Sequence, residues 1–95
     1  MDENNPVEFY KKLKDQLTET SKWPSDYLYK FIVETHTDKI DKINDIFDNT
    51  GAVINLKKSK NGKYTSISIT VNLASPDQVI EKYKKVGEIE GVISL

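Results

Sequence analysis

Residues 64–73 alternate without a break. Thr65, Ile67, Ile69, Val71 and Leu73 fall on one side, and Tyr64, Ser66, Ser68, Thr70 and Asn72 on the other. A period of two over this length is a β-strand with one buried and one polar face. Residues 52–59 read as a second strand just before it, separated by Lys60-Asn61-Gly62-Lys63. An Asn-Gly pair between strand-like runs predicts a hairpin whose type I′ turn puts both residues at positive φ. A two-stranded hairpin is marginal in water on its own, so the rest of the chain must cover its apolar face.

That cover is legible on either side of the hairpin. Tyr27-Leu28-Tyr29-Lys30-Phe31-Ile32-Val33 is dense in aromatic and β-branched residues and apolar on both faces, as a central strand would be. Thr35-His36-Thr37-Asp38 starts a helix whose apolar face is Ile40, Ile43, Ile46 and Phe47, and Asn49-Thr50-Gly51 ends it with Gly51 left-handed. Ser75-Pro76-Asp77-Gln78 is a second helix start, with a cap, a proline at the first position and a glutamine to close a capping box. Val79, Ile80, Tyr83 and Val86 supply its buried face, Gly87 its stop, and residues 91–95 a short last strand. Upstream, Pro6 opens an amphipathic helix with Phe9, Leu13 and Leu17 in a stripe beside Tyr10; a polar break follows over residues 20–26, where Pro24 argues against helix through Trp23.

After the first helix the order is β-α-β-β-α-β. Right-handed crossovers leave few arrangements, and the one that centres both apolar strands is an α+β ferredoxin-like sandwich with antiparallel sheet order 4-1-3-2. Residues 1–22 are then an N-terminal amphipathic helix and linker, and 23–95 the ferredoxin-like domain. On the far side of the sheet, Ser66, Ser68 and Thr70 would lie opposite Leu28, Lys30 and Ile32. The stripe of the first helix is expected to cover that face, with Trp23 as its anchor, and a second copy of the chain is the alternative.

Composition narrows the chemistry. Twenty-six of the 95 residues are Ile, Leu, Val or Phe, above the ~20 % below which chains tend to stay disordered. There is no cysteine, which removes disulfides, thiolate metal sites and cysteine nucleophiles. All fourteen basic residues are lysines, and the formal net charge is −1, so no protein-wide field draws in nucleic acid or an anionic membrane. No apolar run reaches the ~18 residues of a membrane span, and a cytoplasmic protein is expected.

Two sets of residues together carry a family resemblance: Trp23-Pro24-x-x-Tyr27-x-Tyr29-Lys30-Phe31, and Lys58-Ser59-x-x-Gly62-x-Tyr64-x-Ser66-Ile67-Ser68-Ile69. With Gln78-Val79, Tyr83, Val86-Gly87, Val92 and Leu95 they resemble the YbeD-like family of small bacterial domains of unknown function, over residues 23–95. The resemblance implies a ferredoxin-like fold similar to ACT-type regulatory domains and a regulatory role. It implies no catalytic residue, so none is carried over.

The residues themselves offer two candidate surfaces. Lys57, Lys58, Lys60 and Lys63 crowd the hairpin, and no acid stands between Asp48 and Asp77. They could dock phosphate or an acidic partner, or simply guard an edge strand. Thr35, His36 and Thr37 stand where a helix start presents backbone N–H groups, and ACT-like modules use the corresponding loop for effectors. His36 is the only histidine and has no cysteine or second histidine with which to build a triad or a zinc site. Asp38, Asp41, Asp45 and Asp48 read as a solvated helix face partnered by Lys42 rather than a cation site. RNA-recognition domains of the same fold stack bases on outward aromatics of the third strand, and here those positions are Ser66 and Ser68. The expectation is a non-catalytic regulatory or interaction module, with a small-molecule effector or a protein as partner, a homodimer as an option, and no metal or cofactor. The alternative is a nucleic-acid-binding module using the 57–63 hairpin.

Overall fold

The structure, a computed structural model, describes residues 6–95; the first five residues of the expected 1–22 segment lie outside it. The elements run α1 (Pro6–Thr20), β1 (Ser25–Glu34), α2 (Lys39–Ile46), β2 (Val53–Lys58), β3 (Tyr64–Leu73), α3 (Pro76–Gly87) and β4 (Ile93–Ser94). The four strands form one antiparallel sheet in the order β2-β3-β1-β4. Read from the opposite edge, this is the expected 4-1-3-2.

β1 and β3 pair along their full length, from Ser25 opposite Leu73 to Glu34 opposite Tyr64. Their alternation sends Tyr29, Phe31 and Val33, with Thr65, Ile67, Ile69, Val71 and Leu73, to one buried side. Ile43 and Phe47 from α2 and its end, and Val79 and Val86 from α3, complete that core, so both helices roof the same face. Burying such side chains contributes roughly 1.5–3 kcal/mol each, which is why the two central strands set the position of everything else.

Local stops follow the residues that permit them. α2 ends earlier than the sequence predicts, at Ile46 with Phe47 as its C-cap, and Asn49 and Gly51 take φ of 62° and 76° in the turn that follows, Gly51 left-handed as expected. At the start of α3, Gln78 Oε1 accepts from the Ala74 N–H at 2.8 Å, while Ser75 makes no side-chain cap. The back-reaching half of the expected capping box therefore forms one residue early. Gly87 does not stop α3: the helix includes it, and positive φ is deferred to Gly91 at 81°.

The seat of α1 corrects one expectation. This helix packs beside α3 on the helical side of the sheet, not across the open face. Tyr10, Leu13 and Leu17 are its half-buried positions and Phe9 is exposed. The cause lies in α3, whose apolar surface is wider than the sheet can cover. Val79 and Val86 join the sheet-facing core, which leaves Ile80 to be buried beneath Val7, Tyr10 and Lys14 of α1. Gly87 faces the Tyr10 side chain of α1, with room for a Cβ, which would stand in ordinary contact 3.7 Å from the Tyr10 hydroxyl. Trp23 packs against the core and donates its indole N–H to the Leu17 carbonyl at 3.1 Å, folding the link between α1 and β1. The open face keeps Leu28 and Ile93 about half exposed, at 51 % and 53 %.

Candidate functional site

The hairpin reverses where predicted but by another turn. Asn61 is not at positive φ; only Gly62 is, at 74°. The Gly62 N–H bonds the Ser59 carbonyl at 2.9 Å, and Ser59 and Tyr64 close the loop through Ser59 N–H to Tyr64 carbonyl at 2.7 Å. Residues 60–63 thus form a longer loop built on an ordinary i→i+3 turn. The Asn61 side chain explains the choice, since its Oδ1 accepts from the Lys63 N–H at 3.0 Å and from the Ser59 hydroxyl at 3.1 Å. Those bonds tie Asn61 into its own loop without a positive φ.

Because β1 ends opposite the start of β3, the loop after β1 meets the root of the hairpin. The Thr35 N–H donates to the Lys63 carbonyl at 2.9 Å, and the Thr35 and Thr65 hydroxyls bond each other at 2.9 Å. Lys58 lies directly opposite Thr65, and Lys57 opposite Ser66. The two candidate surfaces are therefore joined at one end of the molecule: Thr35, His36 and Thr37 on one side of the junction, Lys57, Lys58, Lys60 and Lys63 on the other. All four lysines, His36 and Thr37 are exposed. The lysines make no ion pair among the described residues; Lys63 sits 5.9 Å over the Tyr64 ring. Glu34, the nearest acid along β1, is answered by Lys39 at 3.7 Å.

The start of α2 is already occupied locally. Thr37 donates to the Glu34 carbonyl at 2.9 Å and accepts from the Lys39 N–H at 3.4 Å. Lys42 pairs with Asp38 at 3.5 Å, as the sequence predicts for a solvated face. Among the described residues, no three His, Cys, Asp or Glu side chains come together to hold a metal, and no helix is long and apolar enough to cross a membrane.

Sequence reasoning missed a second feature. A cleft of about 390 Å³ opens between α1, α3 and β4, lined by Phe9, Tyr10, Phe31, Tyr83, Val86 and neighbours. Its floor belongs to an aromatic cluster in which Tyr29 packs against Tyr27, Phe47 and Tyr83 at ring distances of 4.7, 5.1 and 4.8 Å. The Tyr29 hydroxyl donates to the Val79 carbonyl at 2.9 Å, and the Tyr27 and Tyr83 hydroxyls bond at 2.9 Å. Burial pushes the Tyr29 and Tyr83 hydroxyls well above the usual tyrosine range. Both stay neutral, so neither can serve as a base near neutral pH. The one signal for this cleft was a glycine within a helical run, Gly87, which lines it beside Val86.

Comparison with known proteins agrees with this architecture. A solution structure of protein HP0495 from H. pylori is similar with a TM-score of 0.63 at 20 % identity, covering 80 % of this chain and 86 % of that one. That likeness is one of fold. The UPF0250 protein YbeD of Escherichia coli O1:K1 is 29 % identical over 84 residues, covering 82 % of this chain and 93 % of the relative. The UPF0250 protein NT01EI_2946 of Edwardsiella ictaluri is 27 % identical over 81 residues, with the same coverage. Neither relative carries a catalytic name. The family model described as protein of unknown function DUF493 matches residues 18–95, from the last turn of α1 to the end of the chain, and on that match the chain belongs to this family.

Proposed function

We propose that this protein is a non-catalytic interaction domain whose basic end takes an anionic effector or an acidic protein segment. The observation that supports it best is the junction at Thr35, where two hydrogen bonds bring the loop before α2 against the lysine hairpin. Four exposed lysines without ion pairs among the described residues, in a stretch of chain free of acids, leave positive charge to be answered from outside. The ferredoxin-like arrangement and the resemblance to ACT-type regulatory domains point to the same class of role. Against catalysis stands the exposed His36, whose ring makes no hydrogen bond among the described residues; a general base needs an orienting partner.

The test is calorimetric titration with inorganic phosphate, nucleoside phosphates, acidic amino acids and an acidic peptide. It compares the wild type with a Lys57→Ala, Lys58→Ala, Lys60→Ala, Lys63→Ala variant. The expected result is binding that weakens as salt is raised and is lost in the variant, whose melting temperature stays close to wild type because the four side chains are solvated. Binding that ignores the four substitutions, or none across the panel, removes this reading. A single-stranded RNA arm covers the other anionic partner. Only Tyr64 among the outward aromatics of β3 could stack a base, so RNA binding is expected to be weaker than that of the acidic peptide.

A further inference from the structure

We infer that the free edge of β2 is a docking strand for an extended peptide that is acidic at its N-terminal end and apolar after it. The inference rests on the reading of the basic end given above and says how a partner engages it.

β2 is the outer strand of the sheet, and five of its six residues are exposed. The opposite edge, β4, is only two residues long. An uncovered edge presents backbone N–H and C=O groups that a partner strand can pair with. Here the register says which ones. Ser59 and Tyr64 are a hydrogen-bonded pair, and antiparallel pairs alternate between bonded and non-bonded. Val53, Asn55 and Lys57 therefore bond β3, whereas Ile54, Leu56 and Lys58 turn their backbone groups to the free side.

The side chains along the same edge are graded. Val53, Ile54 and Leu56 make its first half apolar, and Lys57 and Lys58 make its second half basic, one on each face of the sheet. Lys60 and Lys63 extend the charge into the turn. A peptide running antiparallel to β2 meets Lys58 and Lys57 with its first two residues, Leu56 with its third and Ile54 with its fifth. Two acids followed by alternating apolar residues answer the strand position by position. A second copy of this chain answers it poorly. Pairing two free edges about Leu56 sets Lys58 beside an isoleucine and Lys57 beside an asparagine, leaving the charges unmatched.

The probe is a capped hexapeptide, Glu-Glu-Val-Thr-Val-Val, in two backbone-methylated forms. Methylation at the third residue blocks an N–H aimed at Leu56; methylation at the fourth blocks one aimed at solvent. Binding is followed by calorimetry and by amide hydrogen exchange on the full chain. The expected result is slowed exchange at Ile54, Leu56 and Lys58 with little change at Asn55 and Lys57. Affinity should fall about tenfold or more on methylation at the third residue and stay near the parent peptide on methylation at the fourth. If both methylated peptides bind like the parent, strand pairing is wrong and the charge-based reading survives. If neither peptide nor inorganic phosphate binds, both fall. If the three amides slow with rising protein concentration and no peptide, a second copy holds the edge and the proposal is overturned.

Discussion

Tyr29 concentrates the demands that burial makes on a polar group. Its ring is fully buried among four other aromatics, Tyr27, Phe31, Phe47 and Tyr83, yet its hydroxyl finds the Val79 carbonyl at 2.9 Å. Tyr83 solves the same problem through the Tyr27 hydroxyl. Burial raises both hydroxyls above their ordinary value of 10.0, chiefly because an ionised phenol would lose its water. The native state therefore keeps protons that the unfolded chain releases above about pH 10. Stability from these groups is complete below that pH and declines as pH rises past it, by up to about 1.4 kcal/mol per pH unit for each tyrosine. Melting temperatures measured from neutral to strongly alkaline pH should fall steeply beyond this point. Tyr29→Phe should lower stability at neutral pH by about 1 kcal/mol for the lost hydrogen bond and flatten the alkaline decline; an unchanged slope would mean another group titrates.

Among the elements, α1 and α3 form the pair that sequence patterns describe least well. The strict alternation of β3, the proline at the start of α3 and the left-handed Gly51 after α2 are local signals, and the chain obeys them. The seat of α1 is not local. A stripe of Phe9, Leu13 and Leu17 says that a helix needs a partner but not which one, and Tyr10 rather than Phe9 makes the contact because it faces Gly87. The candidate site divides in the same way. Its loop and its lysines were each legible, but their junction depends on Thr35 reaching Lys63 and Thr65 across 28 and 30 positions of chain. The asparagine of the turn misleads for a third reason, since its side chain bonds its own loop. The helix pair makes its own prediction. Gly87→Ala places a methyl in ordinary contact with Tyr10 and should raise stability by roughly 0.5–1 kcal/mol through helix propensity. Gly87→Val should lose that gain by pushing α1 outward. Denaturant midpoints of the two variants decide it.

The whole molecule is uneven about its sheet. One side carries three helices and the aromatic core; the other is left uncovered by the described residues, with hydroxyls along β3 and the half-exposed Leu28, Val53 and Ile93 on the neighbouring strands. Charge is uneven too, with four lysines at the hairpin end and Asp38, Asp41, Asp45 and Asp48 along α2 and just beyond its two ends. The chain's single tryptophan stands where the uneven parts meet, its indole bonded to the last turns of α1. Emission from Trp23 consequently responds to the departure of that helix as well as to loss of the core it packs against, whereas far-UV dichroism weighs the sheet and all helices together. In a denaturant series the fluorescence change should come first. Coincident curves would instead make the N-terminal helix part of a single cooperative unit, and the same light signal would then time the opening of the entire fold.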